Sequence, residues 1–176
     1  MQNRIIDDKI VVANSVTKIG PECMNRVIIG GSHGGIYATY LAVREEVRGV
    51  ILNDAGFAKN NSGIAGGDYC QELGIPYAAI DTLSCCIGNA ESHVDDGIIS
   101  FINLEAKNLG VTVGMTALEA AYKLCKARII KRSTPEYSDY LTDPKSLPES
   151  WKKFFDGLSE DEKLILNDIN LSLIHI

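Results

Sequence analysis

A serine flanked by glycines is the feature of this sequence that points most directly to chemistry. Residues 30–34 have the sequence Gly-Gly-Ser-His-Gly, after an apolar run at Arg26–Ile29 and before a helical pattern that begins at Ile36. Glycines allow a tight turn between a strand and a helix, and such a turn lifts the Ser32 hydroxyl above the sheet. Backbone amides at the start of the helix can then stabilise a negatively charged oxygen. The spacing therefore predicts that Ser32 is a nucleophile.

The stretch from Arg26 to Ala55 resembles the nucleophile-elbow βαβ unit of α/β-hydrolases, including the following strand that ends in Asn53-Asp54-Ala55. The resemblance implies an enzyme that cleaves a small ester or amide through an acyl-enzyme, in which an acid and then a histidine follow the serine along the chain. The chain departs from the family in one respect. Only about 26 residues precede the unit, too few for the strands that the family places there.

A catalytic set follows from that order of residues. The base is expected to be His93, with His33 as a second candidate, and the acid is expected to be Asp81, with Asp54 as a second candidate. Other roles are open for these side chains. An aspartate after a strand often serves only as a turn former or helix cap, and a histidine ahead of a helix often lies on the surface. The predicted catalytic residues are Ser32, His93, Asp81, His33 and Asp54.

The same glycine-rich segment allows a second hypothesis, a cradle for a nucleotide or another anion. Amides at a helix N-terminus bind anions, and glycine lets a ligand approach the backbone. Asp54 ends the next strand where a Rossmann domain has its ribose-binding acid. However, Ser32 replaces the second glycine of Gly-x-Gly-x-x-Gly, and no P-loop motif is present. A third alternative is that the glycines only let helix and sheet pack closely. The predicted ligand-binding residues are Gly30, Gly31, Gly34, Gly35, Asn53 and Gly56.

Short apolar runs alternate with helical patterns, which is typical of βαβ units. We predict a three-layer α/β fold with a mostly parallel, open, Rossmann-like sheet. Its loops at Gly30–Gly35, Asn53–Gly67 and Asp81–Gly88 should meet at the carboxyl edge, where ligands bind in such sheets. The predicted strands are Ile10–Ala13, Arg26–Ile29, Gly49–Asn53 and Pro76–Ile80, with a short helix near Asp68–Leu73.

The chain after Ile80 has helical spacing. Apolar residues at positions 98, 99, 102 and 106 predict an amphipathic helix over Val94–Leu109 that Gly110 ends. Val111–Val113 is a candidate fourth strand. Thr116 and Glu119 form a capping box that predicts a further helix. We expect Cys85 and Cys86, in the loop before this region, to be packing residues.

The composition divides the chain into an α/β domain over residues 1–130 and a helical appendage or tail over residues 131–176, where prolines and polar residues become frequent. Residues 137–155 resemble the N-terminal docking segment of the E1 component of 2-oxoglutarate dehydrogenase. That resemblance implies docking to a partner protein. The alternative is a helix that packs on its own domain through Trp151, Phe154 and Phe155.

Charge and cysteine usage limit the partners. A net charge of −6 disfavours broad contact with nucleic acid. No apolar stretch approaches the roughly 20 residues that cross a bilayer, so we expect no membrane contact and a cytoplasmic location. The five cysteines lack the spacing of a metal site. The expected partner is a small-molecule substrate or ligand, with neither metal nor cofactor. A homo-oligomer and a non-catalytic interaction subunit stay open, as does the completeness of the chain.

Overall fold

The computed structural model describes residues 3–129. The chain divides into two units, residues 1–134 and residues 135–176, and everything described below belongs to the first. The predicted helical appendage at residues 131–176 lies outside the described residues. Within residues 3–129, no helix has the length and apolar character needed to cross a membrane.

The domain is built on one six-stranded sheet in which the strands lie side by side in chain order. Strands β2 to β5 are parallel to one another, and β1 and β6 flank them in antiparallel orientation. This confirms the predicted mostly parallel α/β fold, with the three predicted central strands adjacent. The strands are β1 (Arg4–Ile6), β2 (Ile10–Ala13), β3 (Val27–His33), β4 (Gly49–Asn53), β5 (Tyr77–Ile80) and β6 (Ile99–Ile102).

Helices cover both faces of the sheet. Alternate strand residues point to opposite faces, so that Ile29, Ile51 and Ile80 join one buried cluster with α3, α4 and α5. The other face packs against α1 and α2. The helices are α1 (Ile36–Val43), α2 (Gly66–Glu72), α3 (Ala90–Asp95), α4 (Leu104–Asn108) and α5 (Ala117–Leu124), with 3₁₀ turns at Val16–Lys18, Pro21–Cys23 and Lys59–Asn61.

The prediction of a single helix over Val94–Leu109 is wrong. The chain there ends α3, forms β6 and starts α4. Gly97 lies so close to the preceding helix that an added Cβ would be 2.3 Å from the His93 carbonyl oxygen, and the chain turns away at that point. Asn103 then caps α4 by accepting a hydrogen bond from the Ala106 amide. Apolar spacing alone fitted both a helix and a strand.

Two smaller predictions near the C-terminal end of the domain have opposite outcomes. Val111–Val113 is not a strand, although Val111 is fully buried. The capping box is confirmed: the Thr116 side chain accepts from the Glu119 amide, and the Glu119 carboxylate accepts from the Thr116 amide. α5 therefore begins where the sequence predicted.

Tyr77 fixes the packing of α1 and α2 on the sheet. Its ring is fully buried, and its hydroxyl donates to the Gly34 carbonyl oxygen at 3.2 Å. Burial raises the pKa of this phenol well above its ordinary value. A Cβ on Gly34 would be 1.9 Å from the phenol oxygen, and one on Gly66 would be 1.9 Å from Thr39 Oγ1. These glycines are therefore required for close packing.

Candidate functional site

The predicted turn at Gly30–Gly35 is largely strand. β3 continues to His33, and only Gly34 and Gly35 connect it to α1. Between the pairs Ile29–Ile51 and His33–Asn53, β3 advances by four residues while β4 advances by two. Ser32 therefore lies in a β-bulge, a feature that re-aims side chains and is common beside active sites. Ser32 is not among the described residues with positive φ, so the sharp turn of a nucleophile elbow is absent at this position.

Ser32 and His93, the predicted nucleophile and base, have different hydrogen-bond partners. The Ser32 hydroxyl is half-buried and accepts from the Val16 amide at 3.1 Å. His93 is fully buried, with Nδ1 2.7 Å from the Asn89 carbonyl oxygen and Nε2 3.2 Å from Asn53 Nδ2. No hydrogen bond joins Ser32 to His93 within the described domain. The catalytic role of this pair stays a prediction.

The Asn53 amide determines the protonation of His93. Asn53 Oδ1 accepts from the Ala55 amide at 2.8 Å, which leaves Nδ2 facing the imidazole. Nδ2 can only donate, so His93 Nε2 must be unprotonated and accept this bond. The proton is therefore on Nδ1, which donates to the Asn89 carbonyl oxygen. Burial lowers the pKa of His93, against the opposing effect of the Asn89 carbonyl. His93 is therefore a neutral imidazole fixed in one tautomer.

Cys85 lies against the same amide. Its Sγ is 3.5 Å from Asn53 Nδ2 and donates to the Asp81 carbonyl oxygen at 3.6 Å. The thiol is only half-buried, and it packs beside the apolar cluster beneath α3 and α5. Burial raises the pKa of Cys85, which favours the thiol over the thiolate. The contact with Asn53 was not predicted, because nothing in the spacing of positions 53 and 85 indicates it.

Asp54 is a buried anchor between three segments of the chain. Its side chain is almost completely buried, and Oδ1 accepts from the amides of Gly56 at 2.8 Å and Thr82 at 3.0 Å. Oδ2 accepts from the Ser100 hydroxyl at 2.7 Å. The carboxylate thus joins the loops after β4 and β5 to the edge strand β6. Sequence reasoning missed Ser100 because it assigned that position to a helix.

Asp81 and His33 form turns. Asp81 Oδ1 accepts from the Leu83 amide at 2.9 Å, and His33 Nδ1 accepts from the Gly35 amide at 3.1 Å. Both contacts bridge residues two positions apart, the pattern of local turns. The geometry of Asp81 therefore matches the turn-forming alternative considered for it.

Neighbouring atoms occupy the space above the glycines. A Cβ on Gly31 would be 2.6 Å from the Asn14 carbonyl oxygen and 2.9 Å from the backbone of Gly88, and one on Gly30 would be 2.6 Å from Leu52. The Gly88 amide also donates to the Gly31 carbonyl oxygen at 2.8 Å. Leu52 therefore covers Gly30 and the loop before α3 covers Gly31, which supports the packing alternative over a phosphate cradle at this point.

The loop after Asp54 contains the most unusual backbone in the described domain. Residues 55–58 all have positive φ, between +47° and +65°, and only Gly56 among them is a glycine. Non-glycine residues in this region cost of order 1–3 kcal/mol each and persist where the surroundings hold them. The side chains of Asn53 and Asp54 hold this segment through the amides of Ala55 and Gly56. Strain of this kind is concentrated at ligand clamps and active sites.

A separate polar pocket of about 200 Å³ opens beside the carboxyl end of β2. Its walls come from β1, the loop after β2 and the start of α3. The pocket was not predicted, because only the fold brings Glu91 next to the other lining residues, which all lie between residues 3 and 18. Within residues 3–129, no group of three or more histidine, cysteine or acidic side chains is arranged to hold a metal ion. The lining residues are Asn3, Arg4, Val12, Asn14, Ser15, Lys18 and Glu91.

Comparison with known proteins finds one short similarity. Residues 137–162 match the family model of the 2-oxoglutarate dehydrogenase N-terminus. This supports the resemblance predicted for residues 137–155 and covers a small part of the chain, outside the described residues. No curated protein and no solved structure matches the chain. The α/β domain therefore has to be interpreted from its own geometry.

The Asp54 anchor predicts a clear order of stabilities. Asp54→Ala leaves two partly buried amides and one hydroxyl without their charged acceptor, which should lower the free energy of unfolding by about 2–3 kcal/mol. Asp54→Asn should cost under about 1 kcal/mol, because its oxygen still accepts both amides and Ser100 can donate to the Ala79 carbonyl oxygen, already 3.3 Å away. Urea unfolding measures both values. Asp81→Ala is the control and should lose less than Asp54→Ala, so equal losses would contradict the anchoring role.

The lowered pKa of His93 predicts that the domain loses stability in mild acid. The unfolded chain takes up a proton near the ordinary value of 6.5, whereas the folded state resists it. The stabilisation that neutral His93 gives the folded state is therefore complete above pH 6.5. As the pH drops further, the free energy of unfolding decreases by up to about 1.4 kcal/mol per pH unit, until the pKa of His93 in the folded state is reached. Unfolding free energies measured between pH 7.5 and pH 5 should fall less steeply in His93→Gln. A wild-type slope in His93→Gln would exclude this origin.

Proposed function

We propose that the α/β domain binds a small polar molecule at the carboxyl edge of its parallel strands. The observation that carries the proposal is the left-handed run at residues 55–58, held by the buried side chains of Asn53 and Asp54. At Ala58 the strained backbone buries no side chain in return, since Ala58 is exposed. Ligands of open α/β sheets bind at this edge. The proposal corresponds to the nucleotide- or anion-binding alternative of the sequence analysis. The proposed location is the cytoplasm, for the reasons given there.

Thermal unfolding with added ligands tests the binding function. ATP, AMP, NAD⁺ and small organic acids form a suitable panel, and a ligand at 100 times its Kd adds about 2.7 kcal/mol to the stability of the folded state. For a chain of this size the Tm should rise by roughly 5 °C or more. A flat Tm across the panel would contradict the proposal.

A matched pair of variants tests the role of the strained loop. Ala58→Gly replaces a left-handed residue at φ +53°, so the free protein should be at least as stable while the ligand-induced rise in Tm becomes smaller. Ala65→Gly, at φ −59°, should lower the Tm of the free protein and leave the ligand-induced rise unchanged.

The second candidate function is the predicted serine hydrolase. The observation in its favour is that Ser32 lies half-buried in the β3 bulge and accepts a hydrogen bond from Val16, which leaves its hydroxyl proton available to a base. In its present contacts His93 does not reach Ser32 and cannot serve as the base. Either His93 exchanges Asn53 for Ser32 when substrate binds, or His33, the neighbouring residue, takes the role.

A fluorophosphonate probe tests the hydrolase. The wild type should be labelled and should cleave an activated ester, whereas Ser32→Ala should lose labelling and fall in rate by orders of magnitude. Ser62→Ala is the control because Ser62 is an exposed serine in the loop after β4. Absence of labelling in folded wild-type protein would remove the hydrolase and leave binding alone.

We further propose that residues 137–162 dock the chain to a partner protein, as the matched family model suggests. The full chain should then co-sediment with a 2-oxoglutarate dehydrogenase complex, and a chain that ends at residue 134 should not. Equal recovery of the two chains would exclude docking through this segment.

A further inference from the structure

The pocket beside β2 has the charge and size of a site for a small organic acid. Its volume of about 200 Å³ equals roughly seven water-sized groups, which suits a small organic acid. Three of its lining residues are ionised at neutral pH: Arg4, Lys18 and Glu91. Their charges sum to one positive charge, in a chain whose net charge is −6. The pocket is therefore a local cationic site on an acidic protein.

The two cations differ in their contacts. The Arg4 guanidinium pairs with the Glu91 carboxylate at 2.5 Å. Lys18 contributes its carbonyl oxygen to an Asn3 hydrogen bond at 2.9 Å, but within residues 3–129 no carboxylate lies within ion-pairing distance of its ammonium group. The Lys18 charge is thus available to an anion, while the Arg4–Glu91 pair forms the opposite wall.

Asn14 adds a neutral donor to the same pocket. Its Oδ1 accepts from the Ala90 amide at 2.9 Å, which turns Nδ2 away from that amide. Nδ2 has no other hydrogen-bond partner in the part of the chain that the structure describes. An ammonium group and an amide N–H₂ together suit the two oxygens of a carboxylate, and Glu91 can accept from a hydroxyl or amino group on the same molecule.

We propose that this pocket binds a small carboxylate that also carries a hydroxyl or amino group, with Lys18 as the residue that recognises the carboxylate. The pocket shares no residue with the strained loop at residues 55–58, so the proposal adds a second binding site to the proposed binding function. The pocket is connected to the candidate site, since the residue after Ser15 donates to Ser32 and the carbonyl of Asn14 lies against Gly31.

Calorimetric titration with L-malate, L-lactate and L-serine tests the proposal, with propionamide as a neutral ligand of similar size. The wild type should bind at least one of the three acids and not the amide. Lys18→Ala should weaken that binding at least about tenfold, and Lys18→Arg should largely restore it. Lys126→Ala, an exposed lysine that does not line the pocket, is the control and should bind as the wild type does.

The outcomes separate this proposal from the general binding function. If a ligand of any class binds equally to the wild type and Lys18→Ala, the pocket assignment is wrong and the binding function stands. If neither the acids nor any nucleotide binds to the folded wild type, both are wrong. A wild-type urea midpoint in Lys18→Ala, expected because its side chain has no ion-pair partner in the described domain, would exclude misfolding as the cause of lost binding.

Discussion

Asn53 at the end of β4 and Asp54 directly after it constrain the carboxyl edge of the sheet around β4 and β5. Asn53 and Asp54 are almost completely buried, and a buried polar group left without a partner costs about 1–3 kcal/mol. Between them they hold the loops after β4 and β5, the edge strand β6 and the imidazole of His93. Since these bonds are buried or partly buried and share two side chains, movement of either loop disturbs the partners of the other. The edge is therefore a cooperative unit.

This cooperation limits the chemistry that the edge can perform in its present form. His93 is neutral and already has partners for both ring nitrogens, and Ser32 is held by Val16 on the far side of β3 from β4. A proton transfer between them would require Asn53 to release the imidazole, which would leave the buried Asn53 amide with only its weak contact to Cys85 Sγ. Binding of a ligand at the open margins of the edge needs no such exchange. The strained loop and the pocket beside β2 both lie at those margins.

Most of the fold could be predicted because buried parallel strands leave an unambiguous pattern. Ile10–Ala13 and Gly49–Asn53 are short apolar runs with polar or glycine residues after them, and both strands have the predicted bounds. Val94–Leu109 failed because isoleucines at positions 98, 99 and 102 fit a helix as well as a strand, and contacts distant in sequence decided between them. The contacts within the candidate site could not be predicted for a related reason. Residue types placed Ser32, Asn53, Asp54 and His93 near one edge, but hydrogen bonds between distant residues determined which of them meet.

Gly31 lies between the pocket beside β2 and the loop before α3. Gly31 is enclosed between the carbonyl of Asn14 and the backbone around Gly88, so the wall of the pocket and the loop before α3 are in direct contact through it. The side chain of Asn14 reinforces this contact by accepting from the first residue of α3, the helix that carries His93. Interiors packed this closely transmit small shifts. A ligand that draws Asn14 toward the pocket must therefore also act on the start of α3. Because the ring of His93 is bonded to Asn89, which caps that helix, the start of α3 contacts both the wall of the pocket and the buried polar cluster.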